Sequence, residues 1–340
     1  MKHVAAADPA SDPFGERYAC LLRTRARVLG GVFEFESNSR PLLRLVNVAF
    51  ADLPPHSFRA APPQFRIRLV LTSAEAPLAG DEVPRMRLHS GAGLLCGTMD
   101  CANFAVVSPT ERTGLVVVSR NMLRHPYHIR YELIEFAVYT LASRAQQLVS
   151  LHAACIGGNE CGLLLIGPSG AGKSTLSLHC LMRDMELVAE DGVLVAPDTL
   201  LATGVGSFLH LSADSLAFLR DAGDDAWIRK SPVIRRRSGV EKFEVDLRRG
   251  RYHIARTPLE VVAVVFLSKQ RASRRNDLRP LLRPLRKAEL VEKLQASQPY
   301  AVNQPGWATF RRRLSRISAF ELRRGRHPDE AVNALRGIIE

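Results

Sequence analysis

The sequence predicts an α/β fold, with a nucleotide-binding domain over residues 148–340 behind a β-rich α+β domain over residues 1–147. A glycine-rich strand-to-helix turn at Gly167 to Thr175, apolar β-type runs on both sides of it, and short alternating segments in the N-terminal third carry this expectation.

From about Arg17 to Arg120 the chain reads as short strands. Phe65-Arg66-Ile67-Arg68-Leu69 alternates strictly, and Gly30-Gly31 and Pro62-Pro63 mark turns. A helix is expected over 127–147, because Leu133, Phe136, Ala137, Leu141 and Ala145 recur on one face. Leu148 to Ile156 reads as a strand, Gly157-Gly158-Asn159-Glu160 as a turn, and Gly162 to Ile166 as a buried strand entering the glycine-rich turn. A helix to about Arg183 follows, then a strand pair from Glu186 to Ala196 interrupted by Glu190-Asp191. Less regular sequence runs to about residue 257. A buried strand Leu259 to Leu267, a helix Lys287 to Ala296, a strand near Phe320 and a helix opened by Pro328 complete the chain.

The composition is that of a globular protein, with 46% hydrophobic and 24% charged residues over 340 positions. Ala7 to Gly15 is broken by Pro and Asp and does not read as a secretory signal, and runs such as Val261 to Leu267 are too short to cross a bilayer. A cytoplasmic protein with no membrane partner is expected. The six cysteines form no CxxC pair, which argues against a metal knuckle or a disulfide framework. A net charge of +13 raises the question of nucleic acid, but only seven of the 47 basic residues are lysines and the arginines are dispersed. No helix-turn-helix, zinc-finger or aromatic-basic pattern accompanies the charge, so nucleic acid is not expected as a partner.

Gly167-Pro168-Ser169-Gly170-Ala171-Gly172-Lys173-Ser174 fits G-x-x-x-x-G-K-[ST] at every fixed position, after a strand and before a helix. Glycines let the backbone curl around phosphate oxygens with N–H groups turned inward, and the helix adds its positive end. ATP with Mg2+ is the expected ligand. Lys173 belongs on the β- and γ-phosphates, Ser174 on the metal, and Thr175 within reach of the α-phosphate. Ser268-Lys269-Gln270 stands where a guanine-reading N-K-x-D would lie, so guanine is not expected. Glu190 begins an acidic pair 17 residues after Lys173, a spacing that allows one helix and a tight return. The strand 186–189 is thus expected beside the P-loop strand. One acid would hold Mg2+ through the shell of Ser174, and the other would accept a proton from an attacking hydroxyl.

Leu151 to Val195 resembles the core of the HPr kinase/phosphorylase family and its HPr-kinase-related relatives. The resemblance implies an HPr-kinase-type P-loop domain in which a strand carrying a His runs antiparallel to the P-loop strand. His152, Lys173, Glu190 and Asp191 fall on the family positions. It further implies transfer of the ATP γ-phosphate to a serine, with Glu190 as base, Asp191 on the metal and His152 near the phosphate. Glu stands where bifunctional members carry Asp, and the E-x-R-G-x-G segment is replaced by Arg235-Arg236-Arg237 and Glu241-Lys242-Phe243. These departures, with the β-rich N-terminal region, are more similar to HPr-kinase-related proteins of ribosomal peptide maturation, some of which phosphorylate lasso-peptide precursors. The expected partner is therefore a peptide or small protein presenting a serine, with homo-oligomerisation left open. A small-molecule kinase and a non-catalytic ATP-binding regulator are the competing functions. The runs Arg235-Arg236-Arg237 and Arg248-Arg249 are expected to help recruit an anionic acceptor.

Overall fold

The computed structural model describes residues 20–73, 82–219, 222–271 and 280–340; Ala7 to Gly15 lies outside them. The chain divides into two compact units, Met1–Arg25, Glu34–Asn47 and Arg66–Ala137 in one, Ala26–Phe33, Val48–Phe65 and Val138–Glu340 in the other. The second unit thus starts its main run at Val138 and takes in two N-terminal segments, where sequence alone places a boundary between 147 and 148.

The N-terminal strands are β1 (Leu22–Val28), β2 (Gly31–Ser37), β3 (Gln64–Thr72), β4 (Arg87–Gly91), β5 (Leu94–Thr98), β6 (Phe104–Ser108) and β7 (Thr113–Ser119). They form one sheet in the order β1-β2-β3-β7-β6-β5-β4, with β3 and β7 parallel. The alternation read at 65–69 is real: Phe65, Ile67 and Leu69 are buried and Arg66 and Arg68 exposed. One helix, α1 (Arg40–Phe50), interrupts this region, which sequence alone reads as strands. Leu42, Val46 and Ala49 recur at helical spacing and are buried, and Pro41 suits a first turn. The helix expected over 127–147 is present as a turn α2 (Pro126–His128), a π-helical stretch Ile129–Ile134 and α3 (Glu135–Ala145).

The second unit holds β8 (Val149–His152), β9 (Ala154–Gly158), β10 (Cys161–Ile166), α4 (Lys173–Leu181), β11 (Glu186–Ala189), β12 (Gly192–Val195) and β13 (Leu201–Gly204). Next come β14 (Phe208–Leu211), α5 (Ala213–Leu216), α6 (Ala222–Arg229), β15 (Val233–Arg235), β16 (Glu241–Asp246), β17 (His253–Ile254) and β18 (Leu259–Arg271). The chain ends in β19 (Leu282–Pro284), α7 (Lys287–Ser297), α8 (Trp307–Leu314), β20 (Ser318–Arg324) and α9 (Pro328–Ile339). The region 205–257 is therefore more regular than its sequence suggests.

A ten-stranded sheet runs β17-β11-β9-β10-β18-β13-β12-β8, with β19 and β20 joined beside β18. Its middle is buried on both faces, as its continuous apolar runs require. Leu163 and Leu165 of β10 pack on one side with Leu178 of α4 and Val332 of α9. Leu164 and Ile166 pack on the other with Leu294 of α7 and Phe310 of α8. The result is an α/β layered unit, as expected. No helix among the described residues is long and apolar enough to cross a membrane.

Two local expectations are corrected. β11 does not lie beside β10; β9 stands between them, antiparallel to both, because the tight turn after Gly158 folds β9 directly onto β10. The run 148–156 is two strands rather than one. It breaks at Ala153, so that β8 leaves for the far edge against β12 while β9 stays at the centre. His152 ends β8 and is not itself on the strand antiparallel to β10.

A separate three-stranded sheet, β14-β16-β15, completes this unit.

Candidate active site

The P-loop leaves β10 at Ile166 and enters α4 at Lys173. Gly170 and Gly172 have φ of +77° and +96°, a region that disfavours side chains, and a Cβ at either would meet open space. The loop is closed by Ala171 N–H donating to Pro168 O at 3.1 Å. It therefore has the shape of an anion cradle at a helix N-terminus. Thr175 Oγ shares a 2.8 Å hydrogen bond with Ser215 Oγ, so a neighbouring hydroxyl fixes its position.

Lys173 is buried rather than extended into solvent. Its Nζ donates to Gly167 O at 2.7 Å and to His152 Nε2 at 3.3 Å. Burial pulls its pKa down, opposed by the negative charges of Asp191 and Glu190. With Nε2 of His152 accepting from Lys173, the ring proton sits on Nδ1, which faces Asp191 Oδ1 at 3.4 Å. A chain of contacts Lys173, His152, Asp191 thus leads from the lysine of the glycine-rich loop toward solvent, for the His152 side chain is 57% exposed and that of Asp191 30%. The Asp191 carboxylate also faces Arg236 Nη1 at 3.8 Å.

Glu190 points the other way. It is buried, and its Oε1 accepts from Ser174 Oγ. Its Oε2 accepts from His210 twice, from the backbone N–H at 3.1 Å and from Nδ1 at 3.0 Å. Burial alone would raise its pKa, but the His210 bond and charge, the Ser174 bond and the Lys242 charge outweigh it and bring it to about 2. Glu190 is a firmly ionised carboxylate at neutral pH.

The β11–β12 turn accounts for this divergence, since successive residues leaving a strand point to opposite faces. Beyond His152 and Asp191 a cleft of about 820 Å3 opens, lined by Gly167, Pro168, Gln298, Pro299 and Tyr300 among others. Its wall is fixed by an amide device. Gln298 donates to His152 O at 3.0 Å and accepts from His152 N–H at 2.8 Å, while Gln304 does the same for Ser150 at 3.1 and 2.7 Å. These glutamines replace a neighbouring strand along the free edge of β8.

The expected residues Lys173, Ser174, His152, Glu190 and Asp191 are thus brought together. His210, Gln298 and Gln304 join them without any local signal in the sequence. Of the basic runs, Arg236 reaches the site. Arg248 does not: its guanidinium is occupied by Asp246, Ala51 O and Val48 O at 2.8–3.0 Å. It serves the fold.

No family model matches the sequence. HPr kinase/phosphorylases of Xanthomonas campestris pv. campestris and Xanthomonas oryzae pv. oryzae are 31% identical over 111 residues, which is 31% of this chain and 35% of theirs. The chain thus spans about a third of the length of the curated relatives it matches. An HPr(Ser) kinase/phosphatase of Coxiella burnetii superposes with a TM-score of 0.30 at 15% identity, over 55% of this chain and 94% of that one. Over those 111 residues the chain is similar in sequence to HPr kinase/phosphorylases.

Proposed function

We propose that this chain transfers the γ-phosphoryl group of ATP to a serine hydroxyl of a peptide or small protein, acting in the cytoplasm. One observation carries this: two adjacent acids serve opposite sides of a P-loop, Glu190 on Ser174 and Asp191 on an open cleft beside Lys173 and His152.

Mg2+ and ATP fit the residues present. The open glycine cradle suits phosphate, and a serine hydroxyl beside an ionised carboxylate is the hard oxygen set that Mg2+ takes. Ser174 and Glu190 would hold the ion, which when bound supplies charge neutralisation at the phosphates. Asp191 is then the proton acceptor, an exchange of the roles expected from sequence. A carboxylate held near pKa 2 inside the fold is a weak base, whereas Asp191 is exposed to an incoming hydroxyl. The acceptor oxygen forms a bond to γ-phosphorus as the bond to the ADP oxygen breaks. The hydroxyl proton passes to Asp191, and ADP leaves with the bonding electrons. Lys173 supplies fixed positive charge to the phosphates, and His152 orients Asp191 through Nδ1–H.

Ribosomally made precursor peptides are the acceptor class that the family resemblance favours. The test is incubation with labelled ATP and Mg2+ against seryl peptides, with free and blocked C-termini, and against small polyols. Phosphoserine by mass spectrometry, absent with Lys173→Ala, is expected. Label on polyols alone would assign a small-molecule kinase, and tight ATP binding with no transfer to any acceptor would assign a regulator.

A further inference from the structure

We propose that His210 is a positioning residue of the phosphate site, locking the Glu190 carboxylate onto Ser174 by bridging it to Glu244. This rests on reading Lys173 and Ser174 as the Mg2+-nucleotide site. His210 Nδ1 is 3.0 Å from Glu190 Oε2 and its Nε2 is 3.2 Å from Glu244 Oε1. The three side chains are 7%, 7% and 12% exposed, so water does not compete for these bonds.

The three come from three separate elements. Glu190 lies in the β11–β12 turn, His210 on β14 and Glu244 on β16. Register places His210 directly opposite Glu244, which puts both on one face of the small sheet. Glu190 therefore receives two N–H groups from a single residue, one backbone and one ring, and both act on the same oxygen. That leaves Oε1 alone to meet Ser174. A glutamate has one more torsion than an aspartate, and an unanchored one would populate several rotamers at a cost to metal affinity. The double clamp removes that freedom before any ligand arrives.

The charge pattern is consistent with a ring that donates from both nitrogens. Burial would lower the His210 pKa, but the bonds to Glu190 and Glu244 outweigh it and hold it raised, despite Arg236 nearby. Lys242 adds a further cation, its Nζ 3.5 Å from His210 O. The buried Glu190 and the half-buried Glu244 thus share cations from the small sheet and its hairpin, which ties the geometry of the phosphate site to β14, β15 and β16.

Amide substitutions separate the two bonds. In His210→Asn the side-chain nitrogen falls near the Nδ1 position and can still reach Glu190; in His210→Gln it falls near Nε2 and reaches Glu244 instead. The measurements are Mg2+-dependent binding of a fluorescent ATP analogue to the full chain and thermal unfolding without ligands. His210→Ala and His210→Gln should raise the Mg2+ concentration for half-maximal binding roughly tenfold, the scale of one lost hydrogen bond to a charged group. His210→Asn should recover most of that loss, although all three lower the unfolding temperature. Glu244→Gln, which keeps an acceptor for Nε2, should shift the Mg2+ midpoint less than His210→Gln and covers the case in which the Ala variant does not fold. Equal Mg2+ midpoints for wild type and a folded His210→Gln would overturn the proposal, as would equal losses for Asn and Gln. Absence of Mg2+-dependent binding in the wild type would overturn the nucleotide-site reading itself.

Discussion

The two sides of the P-loop are built on opposite principles. On the Ser174 side the acid is enclosed and bonded, with the buried Glu190 held between the half-buried Ser174 and the buried His210. On the Lys173 side the groups are strung along a cleft wall, with His152 and Asp191 at longer distances and half open to solvent. Preorganised electrostatics needs the first kind of environment, because fixed charges are effective only where they do not reorganise. Accepting a proton from a substrate needs the second, because the base must meet its partner. In the proposed reaction adjacent residues fill both roles, because a strand end sends them in opposite directions.

The largest effect that sharpens this contrast should come from Lys173→Ala. Removing the main cation at the phosphates should reduce transfer by at least about 10² to 10³, the range for deleting one preorganised charge-stabilising group. Because Lys173 is buried on Gly167 O, circular dichroism and thermal unfolding must show a folded variant. Wild-type turnover in such a variant would end the site assignment.

Asp191→Asn and Glu190→Gln test the contrast from its two ends. Asp191→Asn should slow transfer by about 10² to 10⁴ with a nearly unchanged Mg2+ midpoint. Glu190→Gln should chiefly raise the Mg2+ requirement, visible in a titration of nucleotide binding. If the metal effect follows residue 191 instead, the two sides exchange roles.

Ligand-free stability should also depend on pH through the closed side. Glu190 has a folded pKa of about 2 against an ordinary value of 4.5, so its contribution is present above pH 4.5 and is lost as pH falls toward 2. His210 is raised above 6.5, so its contribution is complete below pH 6.5 and is lost as pH rises through its folded value. The pair is thus most stabilising between pH 4.5 and 6.5. Unfolding midpoints of wild type and Glu190→Gln, measured across pH, should converge at the acid end. Parallel curves would show that this pair does not set the acid limb.

What could be read in advance follows the range of the interactions. The P-loop is a contiguous motif whose chemistry depends on neighbours in sequence, and Glu190-Asp191 could be placed by its short spacing. His152 was legible only through family resemblance, since a lone histidine on an apolar strand has no local signature. His210 and Glu244 meet across a strand pair 34 residues apart, and Gln298 reaches His152 across 146. No periodicity encodes such contacts. The strand break at Ala153 was invisible for a related reason: neither Gly nor Pro marks it, and tertiary pairing with β12 draws β8 away. The short strands of 205–257 span too few residues for alternation to stand out.

The smallest expected effect concerns the arginines that overhang the open side. The β15–β16 hairpin brings Arg236 to 3.8 Å from Asp191, while Arg235 remains exposed and Arg248 is bound within the fold. Arg236 therefore competes with an acceptor for Asp191 in the ligand-free protein, and can turn to an anionic acceptor group when one arrives. Both interactions are partly solvated and screened within a Debye length of about 8 Å, so each is weak. Arg236→Ala should raise the acceptor Michaelis constant about threefold to tenfold, on the scale of 1 kcal/mol, and should flatten its increase with salt. ATP affinity should change less, because Lys173 is itself buried and less screened by salt. Arg248→Ala should instead lower the unfolding temperature and leave the salt response intact. Identical salt responses in wild type and Arg236→Ala would remove the hairpin from the acceptor side and leave His152 and Asp191 as its recognition groups.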